Sequence, residues 1–387
     1  MSYPPRIRGE QTASKSSWRS LCFRVTFLAL LAVSLSLLVC NSLRAENEPK
    51  LVGYQVQRPI WSLGFQDAAW LFSYRGQAGG PRIMFFALSD LTSENREPGS
   101  HREEDTGRLT RSLPLYLAER IFIETACEAS ANIVMAVGEG PVVSGTEWTL
   151  DQLVPAAGTP PPDFIVLGRL ERRLGGIQSR AVLEFWDVAK KKKVKEFSQL
   201  GILDEEAVTG IRVSQLSDRI LKYLTSTELC HPVPIPSALA APQYILVGQH
   251  LSGLGQLLHQ TMVESGVVPL TKIVGEADML QWYRMLVSRQ PYSVPAQLMW
   301  IRGVLLSYSY GSKAYETHLP DLLAQLALLT DPDGSIARLS PVIYKKLGHV
   351  QECQDRRQQL GVVPDSIFLD WLKKIDCDSS NVPGTPY

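Results

Sequence analysis

The side chains best suited to chemistry in this chain of 387 residues are three carboxylates close together, Glu171, Glu184 and Asp187. Two carboxylates facing one cleft can act as the acid and base of a hydrolase. Residues around them alternate apolar and polar, the pattern of a half-buried strand, in which positions an odd number apart point to opposite faces. Glu184 and Asp187 are therefore expected on different faces, which opposes a shared cleft. Asp187 also stands before a turn, where Asp commonly caps the backbone.

Other candidates give less. Asp331-Pro332-Asp333-Gly334 sets two carboxylates together, but a calcium loop needs further oxygen donors and a distant glutamate, so the segment reads as a turn. His250 and His259 are nine residues apart and are expected to play separate roles. The chain has no Gly-x-Ser-x-Gly elbow, no phosphate loop ending in Gly-Lys-Ser/Thr and no His-Glu-x-x-His, each of which would supply a nucleophile, an anion cradle or a metal. Nor is there a Cys-x-x-Cys or paired-histidine spacing for zinc. The reading is a protein that is not an enzyme and has no catalytic residues, metal or cofactor. Trp282, Tyr283, Trp300, Tyr308 and Tyr310 form an aromatic-rich stripe whose alternatives are core packing and a peptide-binding groove.

These residues need elements to hold them. Residues 51–80 are rich in aromatics, including Trp61, Phe65, Trp70 and Phe72, and read as short strands joined by turns. Ile83-Met84-Phe85-Phe86 reads as a strand buried on both faces, and residues 89–106 as a polar surface loop. Leu109, Leu113, Leu117 and Ile121 recur every four residues and predict an amphipathic helix. Residues 133–137 give another strand, and residues 154–163, with four prolines, interrupt regular structure. Alternation then predicts two successive hairpins across residues 164–197, the first turning at Gly175-Gly176 and the second at the lysines 190–193. A helix follows at 208–224. The proline-rich residues 231–242 read as a linker, and beyond them five apolar-striped helices are expected.

Residues 1–45 combine a basic leader with a 16-residue apolar run at 25–40 and small or polar residues at 42–45, the form of an export signal. The run is shorter than the roughly 20 residues of a spanning helix. Cleavage is the first choice; an uncleaved anchor, facing the periplasm, is the alternative. Leu37-Leu38-Val39-Cys40 resembles a bacterial lipoprotein box, which would lipidate Cys40 and tether the chain to a membrane.

Removing residues 1–45 takes six basic and one acidic side chain from a chain with 39 of each, leaving a net charge of −5. That balance argues against nucleic acid, whose binding needs clustered cations. Cys127, Cys230, Cys353 and Cys377 remain, an even number that suits disulfides in an oxidising compartment. Cys353 and Cys377 flank a helix-turn-helix stretch with Gly361 and Pro364 in its middle. A staple between them is preferred, with two buried thiols as the alternative.

Residues 81–225 resemble the TolB amino-terminal domain, a small α/β domain of bacterial envelope proteins. The likeness rests on the order strand, helix, strand, hairpin, on Phe164-Ile165-Val166-Leu167-Gly168, where a glycine follows apolar residues, and on the apolar-x-Asp turn Phe185-Trp186-Asp187. The chain departs from the pattern at the lysines 190–193 and in the insert 138–163. Further on, Leu329-Thr330-Asp331-Pro332-Asp333-Gly334 and Tyr344-Lys345-Lys346-Leu347-Gly348 are similar to parts of tetratricopeptide repeats. The expectation is an α+β protein: signal peptide 1–45, TolB-like α/β domain 46–230, linker 231–242 and helical, repeat-like domain 243–387. The resemblance implies a periplasmic, protein-binding adaptor or assembly factor with an envelope partner. A ligand-sensing module and a hydrolase of envelope polymers are the alternatives.

Overall fold

The computed structural model describes residues 51–76, 79–92, 105–173, 178–203, 205–329 and 331–378. The leader with Cys40, and the Gly175-Gly176 turn, lie outside the described residues. A sheet region precedes a helical region, an α+β arrangement.

The sheet region contains β1 (Leu51–Val56), β2 (Arg82–Phe86), β3 (Ser89–Leu91), α1 (Asp105–Glu124), β4 (Glu128–Ala136), β5 (Gly140–Pro141), α2 (Leu150–Leu153), β6 (Phe164–Arg173), β7 (Gln178–Asp187), β8 (Lys192–Leu200) and α3 (Glu206–Ser226). Strand order is β1-β4-β2-β6-β7-β8. The central strand β2 runs parallel to both β4 and β6, and α1 supplies the crossover that a parallel pair requires. Antiparallel hairpins join β6 to β7 and β7 to β8. The continuous apolar run of β2 has a direct cause. Ile83 and Phe85 enter the main core, while Met84 and Phe86 enter a second, small core under Leu150 and Leu153. The insert 138–163 thus covers one sheet face. Gly168 is required by packing, because a Cβ there would lie 2.7 Å from atoms of both Leu88 and Leu183.

The helical region comprises α4 (Val247–Glu264), α5 (Glu276–Arg289), α6 (Val294–Ser309), α7 (Leu319–Leu328), α8 (Ser335–Lys346), α9 (Val350–Leu360) and α10 (Ser366–Lys373). One apolar core runs from the sheet through α1 and α3 into these helices, so residues on either side of 231–242 share it. Leu109, Leu113, Leu117 and Ile121 are buried as their spacing predicts. The other side of α1 is enclosed as well, with Arg111 and Glu119 buried, while Arg120 is buried along the apolar stripe. Backbones approach closely where α3 meets α4: a Cβ on Gly248 would stand 2.4 Å from the Glu206 carbonyl oxygen.

Two expectations are overturned. Of the described residues in 51–80, only Leu51–Val56 is strand, paired with β4; Ile60–Ser62 and Ala69–Arg75 are 3-10 turns. Pro59 lacks the N–H a ladder needs and leads the chain out of the sheet, and Gln66 and Asp67 take positive φ. The aromatics serve helices instead. Trp70 meets Phe368 edge-on at 5.3 Å, and Trp371 Nε1 donates to the carbonyls of Phe65 and Gln66. The second correction concerns the loop at 89–106, where Ser89–Leu91 adds a short strand beside β6.

Candidate binding groove beside Trp282

Gly275 precedes α5 in the left-handed conformation, and Glu276 and Asp278 occupy the first turn, where carboxylates suit a helix start. Met279, Trp282 and Met285 follow at three-residue spacing and form one wall of a groove of about 480 Å³. Gln256 and His259 of α4 and Arg108 of α1 lie across from them, with Ile273 and Val274 at the end. Val274 is 78% exposed and Met285 36%, so the apolar wall is open to solvent. The Oε1 of Gln256 is buried and meets no hydrogen-bond donor among the described residues. Apolar walls with a few polar groups are suited to holding an apolar side chain or a small apolar ligand.

The other four aromatics lie elsewhere. Tyr283 and Trp300 are fully enclosed in the core. The Tyr283 hydroxyl donates to the Gly253 carbonyl at 3.3 Å, and burial pushes its pKa well up. Trp300 lies under the Arg284 guanidinium and donates to Nδ1 of His318, whose pKa burial lowers, consistent with the neutral acceptor form. Tyr308 stacks edge-on against Tyr315 and donates to the Leu347 carbonyl. Tyr310 and Ser312 both donate to the Glu276 carboxylate, and burial followed by that carboxylate raises the Tyr310 pKa. Trp282 alone of the five lines the groove.

The carboxylates are held by cations. Glu171 and Glu184 do share a sheet face, with Arg169 between them at 3.3 and 3.2 Å. Arg180 pairs with Glu171, and Lys193 with Glu184. Asp187 accepts from the Lys190 ammonium at 2.7 Å and from its backbone N–H at 2.9 Å, contacts that hold the carboxyl below its ordinary pKa. Asp331 accepts from the Asp333 N–H, and Asp333 pairs with Arg338, as in a turn. His250 lies between α1 and α4 beside Glu119, away from the groove that His259 lines.

Among the described residues no cluster of three or more His, Cys, Asp or Glu could hold a metal ion, and no helix is long and apolar enough to cross a membrane. Cys353 pairs with Cys377, tying the start of α9 to the residues after α10. A second disulfide joins Cys127 to Cys230, 103 residues apart, the pair that remains once Cys353 and Cys377 are joined. Both fit an oxidising compartment outside the cytosol. The three-residue spacing of Met279, Trp282 and Met285 is the signal by which sequence could have found one wall of the groove. Its opposite wall comes from α1 and α4 and carries no such mark.

No family model matches the chain, and no curated protein matches it either.

Proposed function

We propose that this is a non-enzymatic protein of the bacterial envelope, exported to the periplasm, that acts as an adaptor by binding a protein partner through the groove beside Trp282. The observation that carries the reading is the open apolar wall of Trp282, Met285 and Val274, set against the polar groups of Gln256 and His259 on the opposite wall. Tryptophan and methionine are enriched where protein surfaces anchor one another. Two disulfides and the leader support export. The order of β2, α1, β4 and the β6–β8 meander supports a TolB-like sheet region, and the paired helices after residue 243 support a repeat-like arrangement.

A photoreactive residue at Val274 or Met285 tests this in cells. The expected result is one reproducible covalent adduct, lost in Trp282→Ala and absent when the label sits at Leu328, equally exposed at 78%. Adducts of the same kind from all three positions, or none from the groove, would reject it.

A ligand-sensing role is favoured by the groove's volume of about 480 Å³, within the roughly 300–1,000 Å³ of small-molecule sites. A metabolite that raises Tm in the wild-type chain and not in Trp282→Ala would select that reading.

A further inference from the structure

We propose that a second cavity, at the amino-terminal ends of β2 and β4, is an anion site that takes the carboxylate of a partly apolar ligand. Its volume is about 540 Å³, and three arginines, Arg58, Arg75 and Arg82, line it with one acid, Glu128. The arginines are not equivalent. Arg75 lies 3.7 Å over the Phe122 ring and donates to the carbonyls of Thr125 and Cys127, so its guanidinium is fixed without a carboxylate partner in those bonds. Arg82 is fixed by the carbonyls of Pro160 and Pro161, with Asp163 at 3.9 Å from its Nε. Among the described residues the ion-pair partner of Arg58 is Asp67, 3.9 Å away and almost fully exposed.

Asp67 and Asp163 stand outside the lining, so the lining itself carries three positive charges to one negative in a concave site, where fields are focused. Burial lowers the Arg75 pKa, Tyr74 and Glu128 oppose that shift, and the Arg58 charge adds a smaller push in the direction of burial. An anion between Arg58 and Arg75 would offset their like charges. Planar guanidinium forks match a carboxylate, and Phe72, Met84, Ala157 and Pro162 supply apolar wall for the rest of the ligand.

The backbone offers a further partner. β1 leaves the ladder at Val56, opposite Ala131, so residues 128–130 of β4 have no paired strand on that side among the described residues. The Cys127–Cys230 disulfide anchors the segment whose carbonyls hold Arg75. A carboxylate with an apolar body is the shared chemistry of two sources, the end of a peptide chain and a small organic acid. An extended chain end lying along this bare edge would gain main-chain hydrogen bonds that a small acid would not.

The test is calorimetric titration of the full chain, disulfides intact, with N-acetylleucine, with its uncharged amide and with inorganic phosphate. N-acetylleucine is expected to bind at least tenfold more tightly than the amide. Arg58→Gln, at a side chain 40% exposed, and Arg82→Gln, at one 38% exposed, are each expected to weaken it at least fivefold while Tm changes little. Tighter binding of N-acetyl-Gly-Gly-Leu than of N-acetylleucine assigns a chain end; equal affinity assigns a small acid. Equal binding of acid and amide, unchanged binding in both variants, or a preference for phosphate overturns the proposal. None of these outcomes depends on the groove beside Trp282.

Discussion

His250 Nε2 lies 2.9 Å from Glu119 Oε1, with both side chains almost fully enclosed between α1 and α4. This contact links the layer that covers the sheet to the helices beyond it. Removing one partner leaves a buried polar group of the other unsatisfied, which costs about 1–3 kcal/mol. His250→Ala should lower stability by that order in urea unfolding. The double variant with Glu119→Leu should cost clearly less than the sum of the singles, because the stranded carboxylate is gone; additivity would show that the two do not interact.

The two disulfides should differ in weight. Cys127–Cys230 closes a separation of 103 residues and Cys353–Cys377 one of 24. Chain-entropy arithmetic assigns about 4.7 kcal/mol to the longer loop and roughly 3.5 to the shorter. Paired Cys→Ala variants, compared by urea midpoint, should therefore lose more at 127 and 230 than at 353 and 377. The reverse order would mean that native packing, not loop closure, sets the difference.

Alkaline pH should unfold the protein cooperatively. Burial raises the pKa of Tyr116, Tyr283 and Tyr310, and pushes Tyr74 up to about 12. In the unfolded chain tyrosine ionises near pH 10. The folded state therefore holds protons that the unfolded state releases, so this contribution to stability is complete below about pH 10 and is lost as pH climbs towards the folded values. Absorbance at 295 nm and far-UV circular dichroism should change together above pH 10. Smooth ionisation of every tyrosine near pH 10, with ellipticity unchanged, would contradict the burial.

Trp282 and Trp300 should separate binding from stability. Trp300 is fully buried, so Trp300→Ala should cost about 3–5 kcal/mol through lost transfer energy and a cavity. Trp282 is half-buried on the groove wall, and Trp282→Ala should cost about 1 kcal/mol or less. Denaturant midpoints decide the point. A large loss at position 282 would make it a packing residue.

Much of the fold was legible because local periodicity carries it. The four-residue recurrence of Leu109, Leu113, Leu117 and Ile121 corresponds to α1, and the alternation across residues 164–197 to the β6–β8 meander. The helix-turn-helix between Cys353 and Cys377 corresponds to α9 and α10 with their disulfide. The aromatics at 61–72 misled for a physical reason. Half-buried strands and helix-packing turns both want large apolar rings, and composition does not tell them apart.

The sequence by itself determined the long helices and the strands of the β6–β8 meander, since spacing alone decides which side chains share a face. It also determined the even set of cysteines and the lack of a recognised reactive motif. Only the tertiary structure decided which of those faces meet. Arg108, His259 and Trp282 converge on one groove, and Arg58, Glu128 and Pro160 on one cavity, from segments far apart in the chain. Such convergence depends on how layers pack, and the residues of each set carry no mark of one another in the sequence.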